Sequence, residues 1–136
     1  MKLPLVACLL GLSLTLAASP AVAQSASKAL TTLFDDERAF VWREDPLTAT
    51  SDGVRRYDDR LASVAPAAQA RRLKADERFL RRLRAIKRAK LSAQQQISYD
   101  LFAFMVESRA ALARHKEWRA PFNSDSGFFA DLLQLD

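Results

Sequence analysis

Apolar residues recur at the three-to-four-residue spacing of an α-helix over most of this 136-residue chain, and this pattern most constrains its fold. After Ala23 the only glycines are Gly53 and Gly127, and the period-two alternation of a half-buried strand is absent. Ala, Leu, Arg, Lys, Glu and Gln dominate the composition, and all six favour helices. We therefore predict an all-α fold with about four helices.

The first predicted helix runs from about Lys28 to Glu44. Ser27 is its predicted N-cap, because a serine hydroxyl can accept a hydrogen bond from a free backbone N–H. Asp45-Pro46 should end the helix, since proline disfavours helical backbone at the residue before it. The predicted core face consists of Leu30, Leu33, Phe34, Phe40 and Val41.

Residues 46–62 are the most irregular part of the chain, and their Thr, Ser, Asp and Gly content predicts a turn followed by a short surface helix or loop. Asp58 and Asp59 are adjacent, so their carboxylates would not face each other on a helix. We therefore expect no general acid/base pair in this segment.

The second predicted helix runs from about Pro66 to Lys90 and separates an apolar side from a basic one. Within residues 71–90 there are ten Lys or Arg and two acidic residues. This face could bind an anionic surface, but the favoured interpretation is a solvated face or one that pairs with acidic residues elsewhere. Nucleic acid is not an expected partner, because no aromatic residues interleave with the arginines to stack on bases. The basic-face candidates are Arg71, Lys74, Arg78, Arg81, Arg82, Arg84 and Arg88, and the apolar side comprises Leu73, Ala75, Phe79, Leu80, Leu83 and Ile86.

The third predicted helix opens with a capping box, in which Ser92 and Gln95 satisfy each other's free N–H groups, and it extends to about Lys116. Further apolar residues, Tyr99, Phe102 and Val106, lie off its main stripe. A helix that is apolar on more than one side is buried between several elements. The stripe predicted to face the core consists of Ile97, Leu101, Phe104, Met105, Ser108 and Leu112.

His115 is the single histidine, and no cysteine cluster or nearby carboxylate spacing accompanies it as a metal site would require. We expect a surface histidine near a helix C-terminus, where positive charge is favourable. Further along, Asn123, Ser124, Asp125 and Ser126 form a polar loop that precedes a fourth predicted helix. This loop is either an N-cap turn or a place where the helix N-terminus receives a substrate carboxylate.

The first 23 residues have the three parts of a secretory signal peptide. Lys2 supplies a positive charge, an apolar stretch follows, and Ala21-Val22-Ala23 presents small residues for cleavage after Ala23. The apolar stretch is shorter than the roughly 20 residues of a membrane span. We therefore expect residues 1–23 to be a signal peptide and residues 24–136 to be a secreted or periplasmic helical segment without a membrane anchor or cysteine.

The last residues, from Phe128 to Asp136, form an apolar helical stripe with no sequence after it to cover it. This ending predicts that the chain is an incomplete N-terminal piece of a larger helical protein.

The order of several short motifs resembles the N-terminal part of the bacterial "domain of unknown function 885" family. Asp-Pro-Leu-x-Ala-Thr-x-x-Gly spans residues 45–53, and Arg-Tyr-Asp-Asp-Arg-Leu spans 56–61. Ser-Tyr-Asp-Leu follows at 98–101, and Pro-Phe-Asn-Ser-Asp-Ser-Gly-Phe at 121–128. The resemblance covers all of residues 24–136.

The resemblance implies a mostly helical, often exported protein that is similar to zinc carboxypeptidase-like enzymes and carries His-Glu-x-x-His further along. That motif does not occur in this sequence, so we assign no catalytic or metal-binding residue and expect zinc only in a full-length relative. The expected partners are the remainder of the same polypeptide and, for the parent protein, a peptide-like substrate. The alternative is a free-standing periplasmic helical module that binds a partner or an anionic surface through its basic face.

Overall fold

The computed structural model of the protein describes residues 20–120. This part contains four α-helices and no β-strand, which confirms the predicted all-α class for the described residues. Three single 3-10 turns, Arg55–Tyr57, Arg88–Lys90 and Glu117–Arg119, lie between or after the helices. The helices are α1 (Pro20–Glu44), α2 (Pro46–Ser51), α3 (Pro66–Ala85) and α4 (Ala93–Arg114).

The three long helices pack together as a bundle in which α3 is antiparallel to both α1 and α4. Contacts such as Arg82 with Asp36 and Arg71 with Glu44 show that α3 runs back along α1. Phe34 of α1 stacks at a tilt on Phe102 of α4, with ring centroids 4.9 Å apart. The core between the helices consists of Leu30, Leu33, Phe40, Ala75, Phe79, Leu80, Leu83, Leu91 and Val106.

The helix ends confirm some local predictions and correct others. The Ser92–Gln95 capping box at the start of α4 is present, and Pro66 occupies the first turn of α3 as predicted. Ser27 is not an N-cap, because α1 already begins at Pro20 and Ser27 lies inside it. Its hydroxyl instead accepts a 2.6 Å hydrogen bond from Nε2 of Gln95. α3 ends at Ala85 rather than near Lys90.

The segment after α1 is more ordered than its turn-forming composition predicts. Asp45 caps α2 by accepting hydrogen bonds from the backbone N and the Oγ1 of Thr48, at 3.4 and 2.8 Å. Pro46 fits the first turn of this short helix because its missing N–H would be unpaired there anyway. Gly53 then adopts φ +80°, which a residue with a side chain rarely does. A helix of one and a half turns therefore precedes the predicted turn.

The predicted core face of α4 is wrong. Five large apolar side chains of the predicted stripe are 51–69 % exposed, and the opposite face of the helix packs into the bundle through Val106 and Ala110. Both faces carry apolar residues, so hydrophobic spacing alone does not choose between them. The choice follows from tertiary contacts of α4, which are described below. The exposed residues, called here the outer face of α4, are Ile97, Leu101, Phe104, Met105 and Leu112.

Candidate functional site

A buried carboxylate joins the three long helices. Asp76 of α3 is 2 % exposed, and it accepts hydrogen bonds from Nε and Nη2 of Arg109 on α4 at 2.6–3.0 Å. Nη2 of Arg109 also donates to Oε1 of Glu37 on α1, at 2.8 Å. A buried charge must be paired and hydrogen-bonded to be tolerated, and this arrangement satisfies Asp76 entirely within the described part of the chain.

The environment of Arg109 keeps its guanidinium charged. Burial acts to lower its pKa, but the hydrogen bonds and negative charges of Asp76 and Glu37 outweigh that effect and raise the pKa above its ordinary value. Since arginine is already protonated at any physiological pH, this group is a fixed cation and not an acid/base catalyst. The triad therefore acts as a structural clamp at the base of a cleft.

The cleft above this clamp has a volume of about 620 Å³ and lies between the C-terminal end of α1, the segment 61–64 and the facing parts of α3 and α4. Its outer rim carries Leu61 and Val64, which are 71 % and 80 % exposed. An apolar cavity with a few polar groups at its base is the usual form of a ligand pocket. Here, however, the polar groups at the base already satisfy one another, so the cleft offers mainly apolar contact.

Glu44, the last residue of α1, forms the polar edge of the cleft. It is bound by Nη2 of Arg71 at 2.9 Å and by Nε of Arg72 at 3.4 Å, and Arg72 also donates to the backbone carbonyl of Glu44 at 3.0 Å. Burial acts to raise the pKa of Glu44, but the hydrogen bond from Arg71 and the charges of Arg71, Arg72 and Arg43 lower it below its ordinary value. Glu44 therefore remains ionised near neutral pH.

The sequence contained a signal for this clamp that the pattern analysis missed. Asp76 lies three, four and seven residues before Phe79, Leu80 and Leu83, so it belongs to the apolar side of α3. A carboxylate in that position requires a cationic partner from another helix. Arg109, which precedes Ala110 on the inner side of α4, was the candidate for this cationic partner.

The structure divides the predicted basic face into paired and unpaired residues. Lys74, Arg78 and Arg81 are exposed and have no carboxylate within 4.0 Å among residues 20–120. Arg88 does not share their helix, since it lies in the 3-10 turn after α3. The ion pairs are Arg71–Glu44 at 2.9 Å, Arg82–Asp36 at 2.6 Å, Arg84–Glu107 at 2.9 Å and Arg88–Asp100 at 2.6 Å.

His115 is exposed at the C-cap of α4, as predicted. Within the described range, no group of three or more His, Cys, Asp or Glu side chains is arranged to hold a metal ion. None of the helices between residues 20 and 120 is long and apolar enough to cross a membrane.

The four predicted substrate-contact residues, Asn123, Ser124, Asp125 and Ser126, lie outside the described residues, as do the first 19 residues of the predicted signal peptide and the apolar ending from Phe128 to Asp136.

The geometry defines a helical bundle with a clamped core, an apolar cleft and an exposed outer face on α4. Residues 46–136 match the family described as "Bacterial protein of unknown function (DUF885)". This match covers more than half of the chain, and the chain belongs to that family. No curated protein and no solved structure matches it. The match begins at the first residue of α2, and α1 completes the same core from outside the matched range.

Proposed function

We propose that this chain is the N-terminal helical part of an exported DUF885 protein, in which it forms one wall of a substrate cleft. The observation that carries the proposal is the outer face of α4, where five large apolar side chains are half or more exposed. Contiguous exposed apolar patches of this kind mark surfaces that bind other protein. The proposed occupant is further polypeptide of the same protein.

The position of α4 supports a layered arrangement. Its inner side packs on α1 and α3, where Val106 and Ala110 are buried. A helix that is apolar all round belongs in the interior of a larger helical protein. In the larger protein α4 would then be a central helix. The helices α1 and α3 would cover its inner side, and further polypeptide would cover its outer face.

We further propose that the parent protein is a zinc-dependent peptidase or related hydrolase. The resemblance noted in the sequence supports this, and the chemistry would belong to residues outside this chain, where a His-Glu-x-x-His helix could bind zinc and position a glutamate beside the metal-bound water. This chain would supply apolar surface to the cleft, and its export would follow from the signal-like residues 1–23.

The first experiment is to sequence the source locus through and beyond codon 136. An open frame that reaches a His-Glu-x-x-His motif would support the proposal. A stop directly after Asp136, with a stable monomeric product in the periplasm, would contradict it and favour the free-standing module.

A second experiment tests the scaffold role in the longest product of that frame. Leu101→Asp places a charge on the outer face of α4, and Ala39→Asp, which adds the same charge at an exposed position inside α1, is the control. If further polypeptide covers the outer face of α4, Leu101→Asp should lower the melting temperature and the zinc-dependent activity much more than Ala39→Asp does. Equal behaviour of the two variants would show that the face is free.

A further inference from the structure

We propose that the groove between the end of α1 and the first half of α3 is a binding site for a phosphate group, formed by Arg43, Lys74 and Arg78. The groove has a volume of about 570 Å³. Four of its lining residues are cationic, these three together with Arg71, and the other four are three alanines and one phenylalanine. None of these lining residues is acidic. This inference is independent of the proposed scaffold role.

The cations of α3 form one row along the helix. Arg71, Lys74 and Arg78 are separated by three and four residues, which places them on the same face, and Arg43 in the last turn of α1 faces this row across the groove. Like charges at this spacing destabilise a helix. An anion bound between them would offset that repulsion, so binding should stabilise the folded state.

Two of the guanidinium groups lie against a buried aromatic pair. Phe40 and Phe79 pack edge to face with centroids 5.7 Å apart. Arg43 lies over Phe40 at 5.3 Å, and Arg78 lies near Phe79 at 5.8 Å. These cation–π contacts restrict the arginine side chains, and a restricted side chain loses less entropy when it binds a ligand.

The three proposed ligand-binding cations have little competition from carboxylates. Lys74 and Arg78 have no carboxylate partner in the described part of the chain, and Arg43 approaches Glu44 only at 3.9 Å through Nε. Arg71, in contrast, is held by Glu44 at 2.9 Å. Three cations at one groove suit an anion with more than one charge, and arginine's fork of N–H donors matches the oxygens of a phosphate.

The test uses calorimetric titration of the full chain with inorganic phosphate at low ionic strength. The variant Lys74→Glu/Arg78→Glu should bind about 100-fold more weakly, since each lost charge-assisted hydrogen bond is worth about a factor of ten. The matched control is Arg38→Glu/Lys87→Glu, which makes the same charge change at exposed positions outside the groove. The control should retain most of the affinity. Equal loss in both variants would show a general charge effect and overturn the proposal.

Glu44→Gln provides a test with the opposite sign. It removes the carboxylate that, among residues 20–120, competes for Arg71 and Arg43, so phosphate affinity should increase. An unchanged or reduced affinity in a folded variant would contradict the proposal. Circular dichroism would confirm that each variant keeps its helical content.

A flotation assay with vesicles of phosphatidylglycerol separates two sources of the phosphate group. Binding of vesicles that requires Lys74 and Arg78, without binding of free phosphate, would identify a lipid headgroup as the ligand. Binding of both would identify a site for phosphate groups in general. Binding of neither would overturn the proposal.

Discussion

Arg109 holds the carboxylate of Asp76 through both Nε and Nη2, and this contact links α4 to α3 across 33 residues of sequence. It also fixes which side of α4 faces the bundle. If α4 were rotated so that its outer face packed inward, Arg109 would leave Asp76 without a cation, and an unpaired buried carboxylate is strongly unfavourable.

Replacing Arg109 should destabilise the protein much more than replacing an arginine in a surface ion pair. Arg109→Met would leave the side chain of Asp76, 3 % exposed, without its cation, and we expect a loss of about 3 kcal/mol in the free energy of unfolding. Asp76→Asn should cost less, about 1–2 kcal/mol, because Arg109 keeps Glu37 and is 41 % exposed. Urea denaturation measures both values.

Arg84→Met is the control for this comparison, since the Arg84–Glu107 pair is exposed on both sides. Its loss should stay below about 1 kcal/mol. If Arg84→Met and Arg109→Met were equally destabilising, the clamp would have no special role.

The stability of the protein should decrease at acidic pH in part through Glu44. The pKa of this carboxyl is lower in the folded state than its ordinary value, so the unfolded chain takes up the proton more readily. The stabilisation is therefore fully present well above the ordinary pKa of the unfolded carboxyl and is lost as the pH falls through the lower folded-state pKa. Asp100, whose pKa the hydrogen bond from Arg88 lowers against a weaker opposing effect of desolvation, contributes with the same sign.

Denaturation curves recorded at several pH values would measure this dependence. Glu44→Gln should flatten the acidic slope, whereas Glu117→Gln, at an exposed position without an ion pair in the described range, should leave it unchanged. An acidic slope that is the same in both variants would refute the assignment to Glu44.

Removing the N-cap of α4 should have a moderate and local effect. The Oγ of Ser92 accepts a hydrogen bond from the backbone N of Gln95 at 3.3 Å, and Oε1 of Gln95 accepts one from the N of Ser92 at 3.2 Å. Ser92→Ala should therefore reduce the free energy of unfolding by about 1 kcal/mol. Ser98→Ala, inside the same helix, is the control, because the hydroxyl of Ser98 donates to the carbonyl of Gln94 and caps no free N–H. If Ser98→Ala lowered the free energy of unfolding as much as Ser92→Ala does, the stabilising role assigned to the cap would be refuted.

If residues 1–23 are a signal peptide, as the sequence predicts, they should be removed after Ala23. N-terminal sequencing of the mature protein should then begin at Gln24. The remaining part of α1 would then run from Gln24 to Glu44 and retain every core residue of that helix. A product that begins at Met1 would show that residues 1–23 are retained.

Local sequence determined most of the helix positions, because the interactions that begin and end a helix involve residues close together in the chain. The capping box of Ser92 and the break at Pro46 are of this kind, and both are present. The predicted start of α1 was wrong because Ser27, a good capping residue in isolation, lies inside a longer helix. α2 was missed because Asp45 and Pro46 together begin a helix that Thr and Ser content alone does not favour.

The apolar faces of α1 and α3 were also readable from the sequence, since each of these helices has a single hydrophobic side. Leu33 and Leu83 are buried as their spacing indicates. The candidate site was harder to predict from the sequence. The sequence pattern identified the row from Arg71 to Arg88 as one basic face, but it could not show which of those charges meet a carboxylate on another helix.

By itself, the sequence determined that the chain is all-α, where α3 and α4 begin, and which sides of α1 and α3 are buried. Only the tertiary structure decided which of the two apolar sides of α4 packs inward and which cations remain unpaired. The physical reason is that these outcomes depend on pairs such as Asp76 with Arg109 and Glu37 with Arg109, which are 33 and 72 residues apart and meet only when all three helices have assembled.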